Sequence, residues 1–396
     1  MRTKLTLIFI ITNFASFSSG LIVNIKTGAQ SRVLDNKSIH RQASKSGLAR
    51  IFVPSFPLQP RYTEYVIFNQ VQNLATTLRN TLSTLFILNA FEHTSTAIAL
   101  TATLSFLARD GAGMLSTLAF SRFAPPFSLS SDVKRWRYLA DITCNIALGV
   151  EFLTSYCFRL PQRAFVASLC LANCLKSACG MMAGSASGPI DFYWSGRDPA
   201  NLPELASKSG AQSTLSNGAG IVLGALLSKL AAGLSKEQRR SKAALYFGWL
   251  SLTGFHLAAN ARLLKTIALN SINKERLRIL MGGFLEDPEG PTMTPREVAQ
   301  KESLIFWFGR GRKILVGVPS STDEVFGSGR ALIRKGGKGG LEVSLREGVS
   351  ALEGHYLAGG GVETGFDGFK RKLEESGWDV EDTSQLLDHG WRCRVE

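Results

Sequence analysis

The stretch Ala108-Arg109-Asp110-Gly111-Ala112-Gly113-Met114-Leu115 and its downstream companion Lys134-Arg135-Trp136-Arg137-Tyr138-Leu139-Ala140-Asp141 set charged side chains within long apolar runs. Unpaired charge in such a run is costly, so these residues need partners on other segments. Read as a helix, the second stretch puts Trp136, Leu139, Ala140, Thr143, Ile146, Ala147, Val150 and Leu153 on one face. Arg137, Asp141 and Asn145 recur every fourth residue and form a polar stripe. A helix that is apolar on one side and charged on another needs several neighbours. The fold class that follows is mainly α: a multi-helix bundle, with membrane embedding as the preferred setting and a soluble bundle as the alternative.

Working outward, residues 82–107, 164–183, 218–234 and 243–261 are apolar enough for long helices. Their lengths approach the roughly 20 residues that cross a bilayer. Asn89, Glu92 and His93 interrupt the first, Lys176 the second and Lys229 the third. A full charge at mid-bilayer costs roughly 2.5–3.5 kcal/mol, so each of these must face other helices or a polar cavity. Gly220 and Gly224, with Ala225 and Ser228, make a small-residue helix face suited to close packing. Lys236, Arg239, Arg240 and Lys242 cluster between two apolar runs. They read either as a positive loop facing anionic lipid head groups or as a solvated helix connection.

Residues 1–20 read as a signal-like segment, with Arg2 and Lys4 before a short apolar core, and residues 21–60 as a basic, Ser-rich transit-like or disordered arm. Together they resemble a bipartite leader into a plastid; a secretory signal leading to the ER or another secretory-pathway membrane is the alternative. Residues 61–281 form the helical domain. Beyond Met281 the composition changes, and residues 282–396 read as a small α+β C-terminal domain. There Thr294-Pro295-Arg296-Glu297 opens a helix by capping, 313–318 and 341–345 read as strands, and Gly365 and Gly377 enclose a helix with Phe366, Phe369 and Leu373 on one face.

The net charge of +14 is uneven: residues 1–60 carry +7, 61–280 carry +11 and 281–396 carry −4. The basic residues lie between apolar segments, with no aromatic-interleaved stripe, which argues against a nucleic-acid partner and for membrane lipids. Five of the six cysteines fall between Cys144 and Cys179 without a Cys-x-x-Cys, and the five histidines are scattered, so no metal site is expected. No nucleophile elbow, phosphate loop or zinc-protease motif occurs, and no lysine is set as a cofactor Schiff base. An enzyme is therefore not the expected reading.

The two opening stretches resemble the ROOT UVB SENSITIVE family, also described as the vitamin B6 photoprotection and homoeostasis domain. Its Asp-Gly-x-Gly and Lys-x-Trp-Arg-x-x-Ala-Asp patterns fall on Asp110, Gly111, Gly113, Lys134, Trp136, Arg137, Ala140 and Asp141. The run from Asn201 to Thr214, including Lys208, and His256-Leu257-Ala258-Ala259-Asn260-Ala261-Arg262 are similar to two further stretches of that family, with Asn273 and Arg276 continuing the helix. Gly377-Trp378 and Gly390-Trp391-Arg392 resemble its paired Gly-Trp motifs. Ser116, Thr117, Asn145, Ala186, Ser187 and Ser209 depart from the family pattern.

The resemblance implies a non-catalytic membrane protein connected to vitamin B6 homoeostasis and light or UV-B responses. It would organise a protein partner, another family member included, or control vitamer availability, with a vitamin B6 vitamer as its ligand and no resident cofactor. The alternative is a transporter-like binder of a small anionic solute. In that reading Arg109, Asp110, Arg137, Asp141, Lys208, His256, Asn260 and Arg262 line one polar cavity.

Overall fold

The computed structural model describes residues 49–92, 98–124, 131–154, 160–233, 238–305, 314–316, 331–335, 341–345, 351–358 and 365–381. Two compact units divide the chain, residues 1–57 and 58–396. In the first, Ala49–Phe52 is a single helical turn; the signal-like segment and most of the basic arm lie outside the described residues.

The second unit is mainly helical. Its long helices are α1 (Tyr62–Glu92), α2 (Ile98–Phe123), α3 (Val133–Phe152), α4 (Gln162–Trp194), α5 (Leu202–Gly233) and α6 (Gln238–Thr266). The apolar run 82–107 is not one helix: α1 ends at Glu92 and α2 starts at Ile98, so the polar residues near its middle fall at a helix end. Helix α4 packs against α2 and α3, α1 packs against α5 and α6, and α3 also touches α1 and α6, which ties the two groups together. Among the described residues α4 is the helix long and apolar enough to cross a membrane by length and composition, and only 17% of its most apolar window is buried.

Glycines set the closest approaches. A Cβ on Gly220 would stand 2.8 Å from Thr77 Cβ and 3.2 Å from the Leu74 carbonyl oxygen, and one on Gly224 would stand 2.8 Å from Thr81 Cβ. The small-residue face of α5 thus presses directly onto α1, as its spacing implies. Gly113 does the same on α2: an added Cβ would lie 2.8 Å from Ser177 Oγ of α4 and still nearer Asn173, whereas Gly111 faces open space. Between these helices Asn173 Nδ2 donates to the Arg109 carbonyl (2.9 Å), Ser116 Oγ donates to the Cys174 carbonyl (2.9 Å), and Cys174 Sγ lies 3.3 Å from the Ala112 carbonyl.

Helix α3 buries Asp141 and Asn145 of its polar stripe, as their need for partners implies, along with Ala140, Ala147, Leu148 and Phe152. Lys134 and Glu151 are also buried, while Ile146 is 53% and Leu153 37% exposed. Neighbouring helices show the same outward apolar character, with Leu107, Met114, Leu115 and Leu118 of α2, Ile221 and Val222 of α5, and Phe247 and Phe255 of α6 exposed.

After α6 the chain does not continue as one helix to Arg276. Residues 267–273 are non-helical, and Asn273 caps a new helix, α7 (Lys274–Glu286), its Oδ1 accepting from the Arg276 N–H at 2.9 Å. The capping energy of an Asn in extended conformation favours a fresh start here over continuation. Helix α8 (Pro295–Lys301) begins with the expected box: the Glu297 carboxylate accepts from the Thr294 N–H (2.7 Å) and hydroxyl (3.0 Å).

Three short strands follow, β1 (Ile314–Val316), β2 (Ala331–Lys335) and β3 (Leu341–Leu345), with β3 central, parallel to β1 and antiparallel to β2. Strand β2 lies outside the segments that read as strands. Helices α9 (Ala351–Ala358) and α10 (Phe366–Glu375) complete the described chain. Phe366, Phe369 and Leu373 of α10 are buried with Leu352, Tyr356, Trp378 and Val298 against Ile272, Leu277, Leu280 and Met281, so residues on both sides of position 281 share one core.

The first Gly-Trp pair ends α10. Gly377 adopts φ +86°, its N–H donates to the Glu374 carbonyl and the Trp378 N–H donates to the Leu373 carbonyl, both at 3.0 Å. That is the paired bond pattern of a glycine-terminated helix. It turns Trp378 into the core, where Nε1 donates to the Met293 carbonyl at 2.9 Å. The second pair, Gly390-Trp391, lies outside the described residues.

Candidate functional site

Where α1, α3 and α6 meet, side chains form a buried polar seam. Arg79 of α1, wholly buried, donates from Nε to the Ala75 carbonyl (3.2 Å) and from Nη1 to Thr253 Oγ1 of α6 (3.1 Å) and to Asn145 Oδ1 of α3. A guanidinium can only donate, so the oxygen of the Asn145 amide faces Arg79 and its nitrogen faces the other way. That nitrogen donates to the Asp141 carbonyl (2.6 Å) and meets His256 Nδ1 at 2.9 Å. Nδ1 is therefore the acceptor, and the imidazole is neutral with its proton on Nε2.

One turn from Asn145, Asp141 Oδ1 accepts from Arg137 Nη1 at 2.7 Å. One turn past His256, Asn260 is fully buried with neither side-chain atom hydrogen-bonded. Further along α3, Glu151 Oε2 accepts from Lys176 Nζ of α4 (2.7 Å) and from Ser83 Oγ of α1 (3.0 Å).

A second polar node lies at the N-terminal end of α3. Glu302, just past α8, joins Lys134 and Arg276, each at 2.9 Å from a different carboxylate oxygen, and all three side chains are buried. Burial alone would raise the Glu302 pKa, but Arg276 and Lys134 outweigh it and hold the carboxyl down to about 2. Arg135 pairs with Glu275 (3.4 Å), and Asn273 Nδ2 donates to the Ser131 carbonyl (2.9 Å). The node fastens the Lys-x-Trp-Arg helix to the start of the C-terminal part.

The eight residues expected to line one cavity separate into distinct places. Arg137, Asp141 and His256 meet in the seam, with Asn260 on the same face of α6 as His256. Arg109 and Asp110 pair with each other at 3.0 Å on α2, where Arg109 also lies over the Phe106 ring at 4.9 Å and Asp110 is exposed. His256 instead meets the Asn145 amide. Arg262 is exposed on α6 and Lys208 is half-buried on α5. A shared solute cavity formed by all eight is not what the chain builds, because Arg109 and Asp110 sit on the helix that packs against α4, away from the α1–α3–α6 junction.

Arg79, Ser83, Glu151, Thr253 and Glu302 belong to these buried polar clusters without having stood out in the sequence. The usable signal was a charged residue at helical spacing between apolar ones, Arg79 after Leu78 and Glu151 before Phe152. Side chains of the basic cluster from Lys236 to Lys242, His93, His355 and the second Gly-Trp pair lie outside the described residues.

Residues 39–288 match the vitamin B6 photo-protection and homoeostasis domain. The chain is 30% identical over 279 residues to protein root UVB sensitive 3 of Arabidopsis thaliana, covering 68% of this chain and 59% of that protein. It is 28% identical to RUS family member 1 of Dictyostelium discoideum, covering 65% of this chain and 48% of the relative. It is 26% identical to protein root UVB sensitive 2, chloroplastic, of Arabidopsis thaliana, covering 69% of this chain and 59% of that protein. The chain spans about half to three-fifths of the length of these relatives. No solved structure matches it. With the Asp-Gly-x-Gly helix, the Lys-x-Trp-Arg helix and its buried seam in place, and more than half of its length within the domain, the chain belongs to the root UVB sensitive family.

Proposed function

We propose that this protein is a membrane-embedded, non-catalytic member of the family that works in vitamin B6 homoeostasis and light or UV-B response, organising a protein partner or controlling vitamer availability at a plastid membrane. The observation that carries the membrane part is the polarity of α3 and its neighbours: Lys134, Asp141, Asn145 and Glu151 are buried, while Ile146, Leu107, Met114, Leu118 and Ile221 are exposed. Outward apolar and inward polar side chains are the arrangement that hydrocarbon favours. The plastid setting rests on the basic arm and on the chloroplastic relative. The acidic residues 282–396, as a small α+β domain, would face water. The matched region and its printed description support the vitamin B6 connection.

The test is alkaline carbonate extraction of membranes from cells making the tagged full chain. Retention with the membrane pellet is the expected result, and complete release into the supernatant would remove the membrane reading.

A further inference from the structure

Helices α3 and α4 pack against each other more extensively than any other two elements among the described residues. Glu151 of α3 accepts from Lys176 of α4 at 2.7 Å, which fixes their register. Seven residues back along α3 and three forward along α4, the Cys144 and Cys179 side chains meet in a thiol–thiol hydrogen bond. A step back on one helix matched by a step forward on the other is the register of an antiparallel pair, so the ion pair and the thiol contact agree. Small side chains flank both thiols. Wholly buried Ala140 and Ala147 stand four residues before and three after Cys144, and wholly buried Ala172 and Ala186 stand seven residues either side of Cys179. Such neighbours let helix backbones approach closely, which the short span of a disulfide requires. Both cysteines are reduced and only partly buried, so a small solute can reach them. Arg79 and Lys176 bear on Cys144 and Arg137 on Cys179, with Asp141 opposing at both. A cation beside a thiol favours the thiolate, the form that attacks an oxidant. Cys174 is engaged elsewhere, its Sγ 3.3 Å from the Ala112 carbonyl of α2.

We propose that Cys144 and Cys179 are a modification site, a thiol pair that hydrogen peroxide oxidises to a disulfide joining α3 to α4. The Cys144 thiolate attacks one peroxide oxygen, the O–O bond breaks, and the departing hydroxide takes up the thiol proton as water, leaving a sulfenic acid on Cys144. The Cys179 sulfur then attacks the Cys144 sulfur, the S–S bond forms, the S–O bond breaks, and a second water leaves with the Cys179 proton. Two thiols thus give up two electrons and one peroxide becomes two waters. A dithiol reverses the bond by exchange and is itself left as a disulfide. The product ties the helix that carries Arg137, Asp141 and Asn145 covalently to α4. The pair stands independently of whether the helices cross a bilayer.

Purified, reduced full-length protein is exposed to hydrogen peroxide, the remaining thiols are capped with N-ethylmaleimide, and peptides are mapped by mass spectrometry without reduction. Wild type is expected to lose two capping sites and to yield a linked peptide pair carrying Cys144 and Cys179, both effects being reversed by dithiothreitol. Cys179→Ser is expected to lose the link and to accumulate a sulfenic acid at Cys144 that dimedone traps, while the double variant Cys170→Ser with Cys174→Ser keeps the link. A wild type with both thiols still capped, a link that joins other cysteines, or Cys179→Ser protein without a dimedone adduct at Cys144 would each overturn the pair. The wild-type map names the linked residues directly, so loss of folding in a variant does not rescue the proposal. Failure of carbonate retention leaves these expectations unchanged, so the two readings fail separately.

Discussion

Replacing Glu302 by Gln tests whether the node at the start of α3 fastens the C-terminal part to the bundle. The carboxylate bridges Lys134 and Arg276 at 2.9 Å each, with all three side chains buried. Its pKa falls from 4.5 to about 2. At about 1.4 kcal/mol per unit, that is on the order of 3 kcal/mol favouring the folded state at neutral pH. Desolvation of two cations offsets much of this, so the triad as a whole contributes little; but removing only the anion leaves both cations buried and unpaired, which typically costs about 3–5 kcal/mol.

The sign of the pH effect follows from a depressed folded-state pKa. The Glu302 contribution is complete above the unfolded pKa near 4.5 and is lost as pH falls towards 2. Chemical unfolding of the full chain, followed by tryptophan fluorescence, should therefore show E302Q several kcal/mol less stable at pH 7 and the gap to wild type closing between about pH 4.5 and pH 2. Equal stability at pH 7, or a gap unchanged at low pH, would refute the node.

Two further substitutions probe the helix contacts. Gly113→Ala should destabilise by about 1–3 kcal/mol through overpacking against Asn173 and Ser177, while Gly111→Ala, which faces open space, should be neutral or slightly stabilising in the helix; similar melting shifts for both would contradict the packing. Asp141→Leu should cost about 3–5 kcal/mol by stranding Arg137 in the seam, whereas exposed Arg262→Ala should change stability by less than about 0.5 kcal/mol, as measured by denaturant midpoints.

Local pattern made much of the bundle legible. Period and composition located the helices, Gly220 and Gly224 announced a close joint, and Gly365 and Gly377 bracketed α10. The need of the α3 polar stripe for partners was legible, and Asp141 and Asn145 are buried; how its apolar face divides was not, because periodicity puts Ala140, Ala147 and Ile146 on one face while packing buries the first two and leaves Ile146 exposed. The break after Thr266 was obscured because Ile267 and Ile272 continue an apolar pattern, while the Asn273 cap that decides the matter is a single side chain.

The site was legible only in its short-range part. Arg137 and Asp141 are one turn apart and announce each other. Arg79 with Asn145, and Lys134 with Glu302, are brought together by tertiary packing and leave no trace in any local window. For the same reason Arg109 and Asp110, adjacent in a family motif, suggested a shared cavity but satisfy one another on α2.

The seat of Gly220 and Gly224 on Thr77 and Thr81 has a consequence for what can dissolve this protein. A joint held by backbone-to-backbone fit draws on dispersion contact, which does not depend on expelling water and so does not fade when the surroundings are oil or detergent. The α1–α5 pair should therefore stay intact through solubilisation and cooling alike.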